Sequence, residues 1–320
     1  MALDPVPWWI GGDAEHGDNV ARMLAYLAAN GNQGVVAPND LKVLPLDVPG
    51  AGVKVLAGGA SILNAVASQE AYTVRNPVTD ADSVKIAATG SSGGRRDMVI
   101  AVVDNPNVDG NAKDPTDLVH GPYDRFDVIP NVPAGVTRLR DVPGQGGTSG
   151  IELALVTLPA NTGTVTSGMI TDLRRLANPR TERQLQLGAS PAAGNALTSS
   201  SFTAWPTTDT FTVTVPEWAT HMLARLEFMG GQTAAQVAGE LRLVLGSSTT
   251  FGTYAYNYAA QNGQARQPVV AAGELALPDS VKGTTQPLRI SGRRTGGTGN
   301  LFTVDSSYFI SDVEFVQRAR

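Results

Sequence analysis

Thr210-Phe211-Thr212-Val213-Thr214-Val215 alternates a hydroxyl-bearing residue with an apolar one over six positions. Successive side chains of an extended chain point to opposite faces, so this stretch is a strand with one face buried and one wet. The same texture continues through Met222–Phe228, Leu241–Leu245, Phe251–Tyr258, Leu288–Ile290 and Tyr308–Val316. Together these runs predict a β domain over 201–320, with Trp205 and Trp218 in its core. The chain has no short-period repeat, which argues against a propeller or solenoid.

Working back toward the start, residues 41–170 show more short apolar runs: Leu41–Leu46, Val53–Leu56, Ala60–Leu63, Tyr72–Val74, Val84–Ala87, Met98–Val103, Phe126–Ile129 and Ile151–Leu158. Turn signals such as Pro49-Gly50, Gly58-Gly59, Asn76-Pro77 and Asn105-Pro106 separate them. Met98–Val103 is apolar at every position, which predicts a central strand covered on both sides. Residues 104–125 and 141–150, rich in Asp, Asn, Pro and Gly, read as long loops. The fold class expected is mainly β: two antiparallel β-sandwich, jelly-roll-like domains with a short N-terminal helix and a short neck.

The helix is predicted over 13–30, where Val20, Met23, Leu24, Leu27 and Ala28 recur at helical spacing. Asp13 or Asp18 can cap its start, and Asn30-Gly31 ends it. Ahead of it, Pro5 and Pro7 forbid helix, and Trp8, Trp9 and Ile10 need a surface, either on their own domain or on a neighbour. The N-terminal domain is placed at 1–175, a neck and linker at 176–200, and the C-terminal domain at 201–320. Ile170, Leu173 and Leu176, with Leu185 and Leu187, form the neck's apolar seam, and Pro179 keeps it from being a long coiled coil.

Charge excludes some functions. The 320 residues carry 24 Lys and Arg against 29 Asp and Glu, a net charge of −5. A non-specific nucleic-acid binder needs a basic surface, and an anionic membrane offers this chain no pull. With no cysteine, disulfides and thiolate metal sites are impossible. No apolar stretch of about 18 residues is present for a membrane span. The start lacks a secretory pattern, so the protein is expected to remain soluble in the cell that makes it.

Candidate chemistry is sparse. His16, His120 and His221 lie far apart with no metal-ligand spacing. Asn105, Asn107, Asp109 and Gly110 echo a calcium loop, but its twelfth position is Thr116 rather than Glu. Asp104, Asp124, Asp127 and Asp141 flank loops and could supply a glycosidase pair, although nothing in their spacing selects two of them. No nucleophile elbow or phosphate loop occurs. Gly292-Arg293-Arg294-Thr295-Gly296-Gly297 reads as a mobile hairpin tip. No catalytic residue, metal or cofactor is expected. Tyr254, Tyr256 and Tyr258 share one face of a strand. That face is either a wet platform for sugar rings or an inter-sheet or intersubunit surface.

Several stretches, taken in order, resemble the minor tail, tail-fibre or baseplate proteins of long-tailed phages infecting actinobacteria. They are the proline- and tryptophan-bearing start through Trp9-Ile10, Gly34-Val35-Val36 leading to Asp40-Leu41-Lys42-Val43, and Gly52–Ala60. Tyr72-Thr73-Val74, Arg96–Asp104, Ile151-Glu152-Leu153-Ala154 and Ile170–Arg180 follow. The resemblance spans about 1–180. It implies an N-terminal sandwich that attaches to the tail tip, a variable C-terminal module, assembly as a homotrimer, and a place in the virion. Expected partners are its own copies, other tail proteins and a host cell-surface glycan, with no nucleic acid and no membrane insertion. Alternatives are an architectural platform for another fibre and a polysaccharide depolymerase.

Overall fold

The computed structural model describes residues 13, 15, 17–110, 112–188, 193–207, 210–259, 266–305 and 308–319. The chain forms two compact units, Met1–Asn178 with Ala319–Arg320, and Pro179–Arg318.

The first unit opens with helix α1 (Asp18–Ala28), shorter at its start than the sequence pattern predicts. Asp18 is the first helical residue and pairs with Arg22 one turn on, rather than capping. The helix ends as expected: Asn30 and Gly31 have φ of 51° and 70°, and the Gly31 amide bonds back to the Tyr26 carbonyl at 2.9 Å. Ten strands follow: β1 (Gly34–Val35), β2 (Val43–Pro45), β3 (Gly52–Val55), β4 (Gly58–Leu63), β5 (Ala71–Asn76), β6 (Asp80–Lys85), β7 (Arg95–Val103), β8 (Asp124–Ile129), β9 (Gly150–Leu158) and β10 (Ile170–Asp172). They pair as β1-β4-β5, β2-β3-β6 and β10-β9-β7-β8, all antiparallel.

Strand β7 is the central, doubly covered strand that its composition predicts. Val99, Ala101 and Val103 enter the main core with Val53, Ile62 and Leu153. Met98, Ile100 and Val102 enter a second core with Val132, Leu139 and Val142 on the other face.

The second unit holds β11 (Thr181–Gly188), β12 (Ala196–Leu197), β13 (Thr203–Ala204), β14 (Phe211–Thr214), β15 (His221–Gln232), β16 (Val237–Leu245), β17 (Thr249–Tyr258), β18 (Gln267–Ala276), β19 (Thr285–Gly297), β20 (Leu301–Thr303) and β21 (Phe309–Val316). One sheet runs β11-β21-β15-β18, with β20 and β12 extending it beyond β21. The other runs β14-β19-β16-β17, with β13 on the same edge of β19 as β14. Of the eight principal strands, only β16 and β17 are chain neighbours within one sheet, and every other connection crosses between sheets. That is the order of a jelly roll. Inward residues of both sheets, among them Phe211, Val213, Leu226, Phe228, Leu241, Ile290, Phe309 and Val313, fill one core. Trp205 is buried there, its indole N–H satisfied by the Asn195 carbonyl at 2.9 Å. Trp218 packs against the same core, half-buried.

The neck is corrected. Thr181–Gly188 pairs along its whole length with β21 and is an edge strand of the jelly roll. Leu176 is buried in the first unit's main core, Ile170 packs on that core from β10, and Leu173 packs on the second core. These three pack on the first unit's own cores. Gly292–Gly297 is likewise strand, paired with β16, and not a hairpin tip.

Candidate functional site

The tyrosines follow the predicted period but face inward. Tyr254, Tyr256 and Tyr258 pair with Leu241, Gly239 and Val237 of β16 and pack on the inter-sheet core. Tyr256 and Tyr258 stack at 5.5 Å. Gly239 makes room for Tyr256, since a Cβ there would lie 2.4 Å from the phenol oxygen. The hydroxyls of Tyr254 and Tyr258 donate to the Val270 and Pro268 carbonyls of β18, in the facing sheet. Burial pushes the phenols of Tyr254 and Tyr256 up to about 12. With their hydroxyls committed and rings against the core, these residues offer no sugar platform.

The acids also find structural roles. Arg125 pairs with both Asp104 and Asp127, the latter at 3.2 Å, beside a cleft of about 710 Å³. A guanidinium therefore stands between the two carboxylates, where a glycosidase needs water or sugar. Asp141 is exposed in a short 3-10 turn. The calcium-like stretch folds as an Asx turn, with the Asn107 amide on the Asn105 side chain at 3.2 Å and the Asp109 amide on its carbonyl at 2.8 Å. His120 pairs with Asp117, and His221 contacts the Thr220 hydroxyl; His16 lies outside the described residues. Among the described residues no cluster of three metal-ligating side chains occurs, and no helix is long and apolar enough to cross a membrane.

Two elements present their apolar residues to solvent instead of to a core. At 3.6 residues per turn, Asp18, Arg22 and Ala25, with Ala29 just beyond, lie on one side of α1; Val20, Met23, Leu24 and Leu27 lie on the opposite side. The Arg22 side holds the helix to its unit. Its guanidinium pairs with Glu70 at 2.5 Å and lies 5.8 Å from the Tyr72 ring, and Ala29 is buried. Met23, Leu24 and Leu27 are 43%, 43% and 64% exposed. Strand β11 is inverted in the same sense: Leu185 and Leu187 are exposed, while Gln184 and Gln186 reach toward β14. Trp8 and Trp9 lie outside the described residues.

A third feature escaped the sequence reading. On the outer face of the β14-β19-β16-β17 sheet, Arg242 lies over the Phe202 ring at 3.9 Å, and Arg293 lies 4.8 Å from the same ring. Arg293 is neutralised by Glu240 at 2.7 Å. Among the described residues Arg242 has no carboxylate partner, and its buried Nε has no hydrogen-bond partner. The alternation Leu241-Arg242-Leu243 signals an outward Arg242; nothing local signals that Phe202 meets it.

No family model matches the chain, and no curated protein matches it. Among solved structures, the VP2 subviral particle of infectious bursal disease virus is similar at 11% identity and a TM-score of 0.28, over 90% of this chain and 67% of that one. The structure of the Gx strain of infectious bursal disease virus gives 12% and 0.26, over 88% and 69%. The insecticidal delta-endotoxin Cry8Ea1 of Bacillus thuringiensis gives 13% and 0.26, and the chain spans about half of it (52%). Scores this low carry nothing about function, and the reading below rests on the chain's own residues.

Proposed function

We propose that this chain is a non-catalytic structural component of a bacteriophage tail tip or baseplate, a minor tail protein. The first unit docks on another tail protein, and the jelly roll serves as the outward module. The observation that carries this reading is α1, an amphipathic helix mounted with its apolar stripe away from its own unit. Such a stripe gains by burial against a partner protein. The sequence resemblance over 1–180 supports the same reading, and a cysteine-free, β-rich chain suits it. Leu185 and Leu187 also favour an architectural contact at the second unit, with the sandwich packed on another fibre component.

The test is immunogold electron microscopy of virions with antibody to residues 179–318, together with light scattering of the purified chain. Gold confined to one tail end supports the assignment, and gold on the head or on no particle overturns it. A mass of three chains supports the homotrimer; a monomer rejects self-assembly.

A further inference from the structure

The outer faces of the jelly roll settle their charge differently. On the β11-β21-β15-β18 face three arginines each have a carboxylate: Arg183 with Asp312 at 2.7 Å, Arg225 with Glu227 at 2.5 Å, and Arg318 with Glu274. On the opposite face Arg242, Arg289 and Arg293 occupy outward positions against one carboxylate among the described strand residues, Glu240, which Arg293 takes. Arg289 donates to the Gly246 and Ser247 carbonyls. Among the described residues Arg242 is left with its ring contact alone.

The register explains how Arg242 is held. It sits opposite Ser291, which in turn sits opposite Ala204. These small residues let its side chain cross toward Phe202. Stacking on a ring fixes the plane of a guanidinium without using its donors. Its Nε is buried and unbonded, and among the described residues nothing hydrogen-bonds to Nη1 or Nη2. A planar, pre-oriented fork without a counter-ion matches the two oxygens of a carboxylate or phosphate.

We propose that Arg242, positioned by Phe202 and flanked by Arg293, binds the oxyanion groups of an acidic cell-surface polysaccharide. The inference rests on the reading of the jelly roll as an outward module. It is tested on the free chain, so its failure is distinguishable from a failure of virion placement. The chain's net charge of −5 disfavours diffuse attraction to polyanions, so binding has to come from a local site.

The full chain is titrated by calorimetry with polygalacturonate, which carries carboxylates, with poly(glycerol phosphate), which carries phosphodiesters, and with neutral dextran. Saturable binding to either polyanion and none to dextran is expected, and the preferred polymer names the source of the oxyanion. Arg242→Gln is expected to weaken binding at least tenfold. Arg242→Lys should weaken it nearly as much, because the fork is lost while the charge stays. Arg183→Gln, on the other face, should leave it unchanged. Thermal melts of all variants establish that they fold. Absence of binding to both polyanions, or equal affinity of Arg242→Gln and the unmodified chain, overturns the site. Arg242→Lys binding as tightly as arginine overturns the fork geometry.

Discussion

Gln186 donates its side-chain amide to the Thr212 carbonyl at 2.8 Å, and two residues earlier Gln184 does the same to Thr214. These bonds lace β11 to β14 across one open side of the jelly roll. Tyr254 and Tyr258 lace β17 to β18 across the other, on the alternate carbonyls of Val270 and Pro268. Sheet edges are templates for unwanted strand pairing, and here both sides of the sandwich are closed by side chains. Tyr254→Phe keeps the ring and unpairs the Val270 carbonyl, and should cost about 1–3 kcal/mol. Urea unfolding of the full chain, followed in the transition of the second unit, measures it.

The same tyrosines set an alkaline limit. Tyr254 and Tyr256 have folded-state values of about 12, above the ordinary phenol value of 10.0. The unfolded chain therefore ionises first, and their stabilising contribution is complete below pH 10 and lost as pH rises toward 12. Absorbance at 295 nm should show a delayed tyrosinate phase in the native protein. Denaturant midpoints should fall over the same interval, less steeply in Tyr256→Phe.

Because Leu24 and Leu27 face solvent, Leu24→Asp with Leu27→Asp should change stability by only about 0.5 kcal/mol. The double variant should fail to join virions when supplied in place of the parent chain. Thermal melts and particle-associated protein measure the two effects separately.

Arg174 should behave in the opposite way. Its side chain is fully buried, donating to the Pro38 carbonyl at 3.1 Å, the Asp40 carbonyl at 2.6 Å and the Asp172 carboxylate at 2.7 Å. Arg174→Met leaves those acceptors unpaired and should cost roughly 3 kcal/mol. Chemical denaturation of the first unit's transition checks it.

Alternation made most strands legible, because Phe211, Val213 and Val215 have no other way to hide. Two long strands, β11 and β18, were missed for physical reasons. In β11 the leucines point outward and the glutamines laterally, so its pattern mimics a neck. In β18 the edge position tolerates Pro268, Ala271, Ala272 and Gly273, which dilute any strand signal. The tyrosine period was readable, but which face is wet depends on β18. Arg242 was readable as outward; its meeting with Phe202 depends on β13 and β16 flanking β19, which only the tertiary fold supplies.

Thr181 opens the jelly roll directly opposite Val316, near its close. Antiparallel partners stand about 5 Å apart, so the backbone enters and leaves this module at almost the same point. A cassette with adjoining ends can be spliced into a surface loop of a host scaffold, or exchanged for another of the same topology, without stretching either. That geometry would let one such module replace another while the remainder of the chain stays constant.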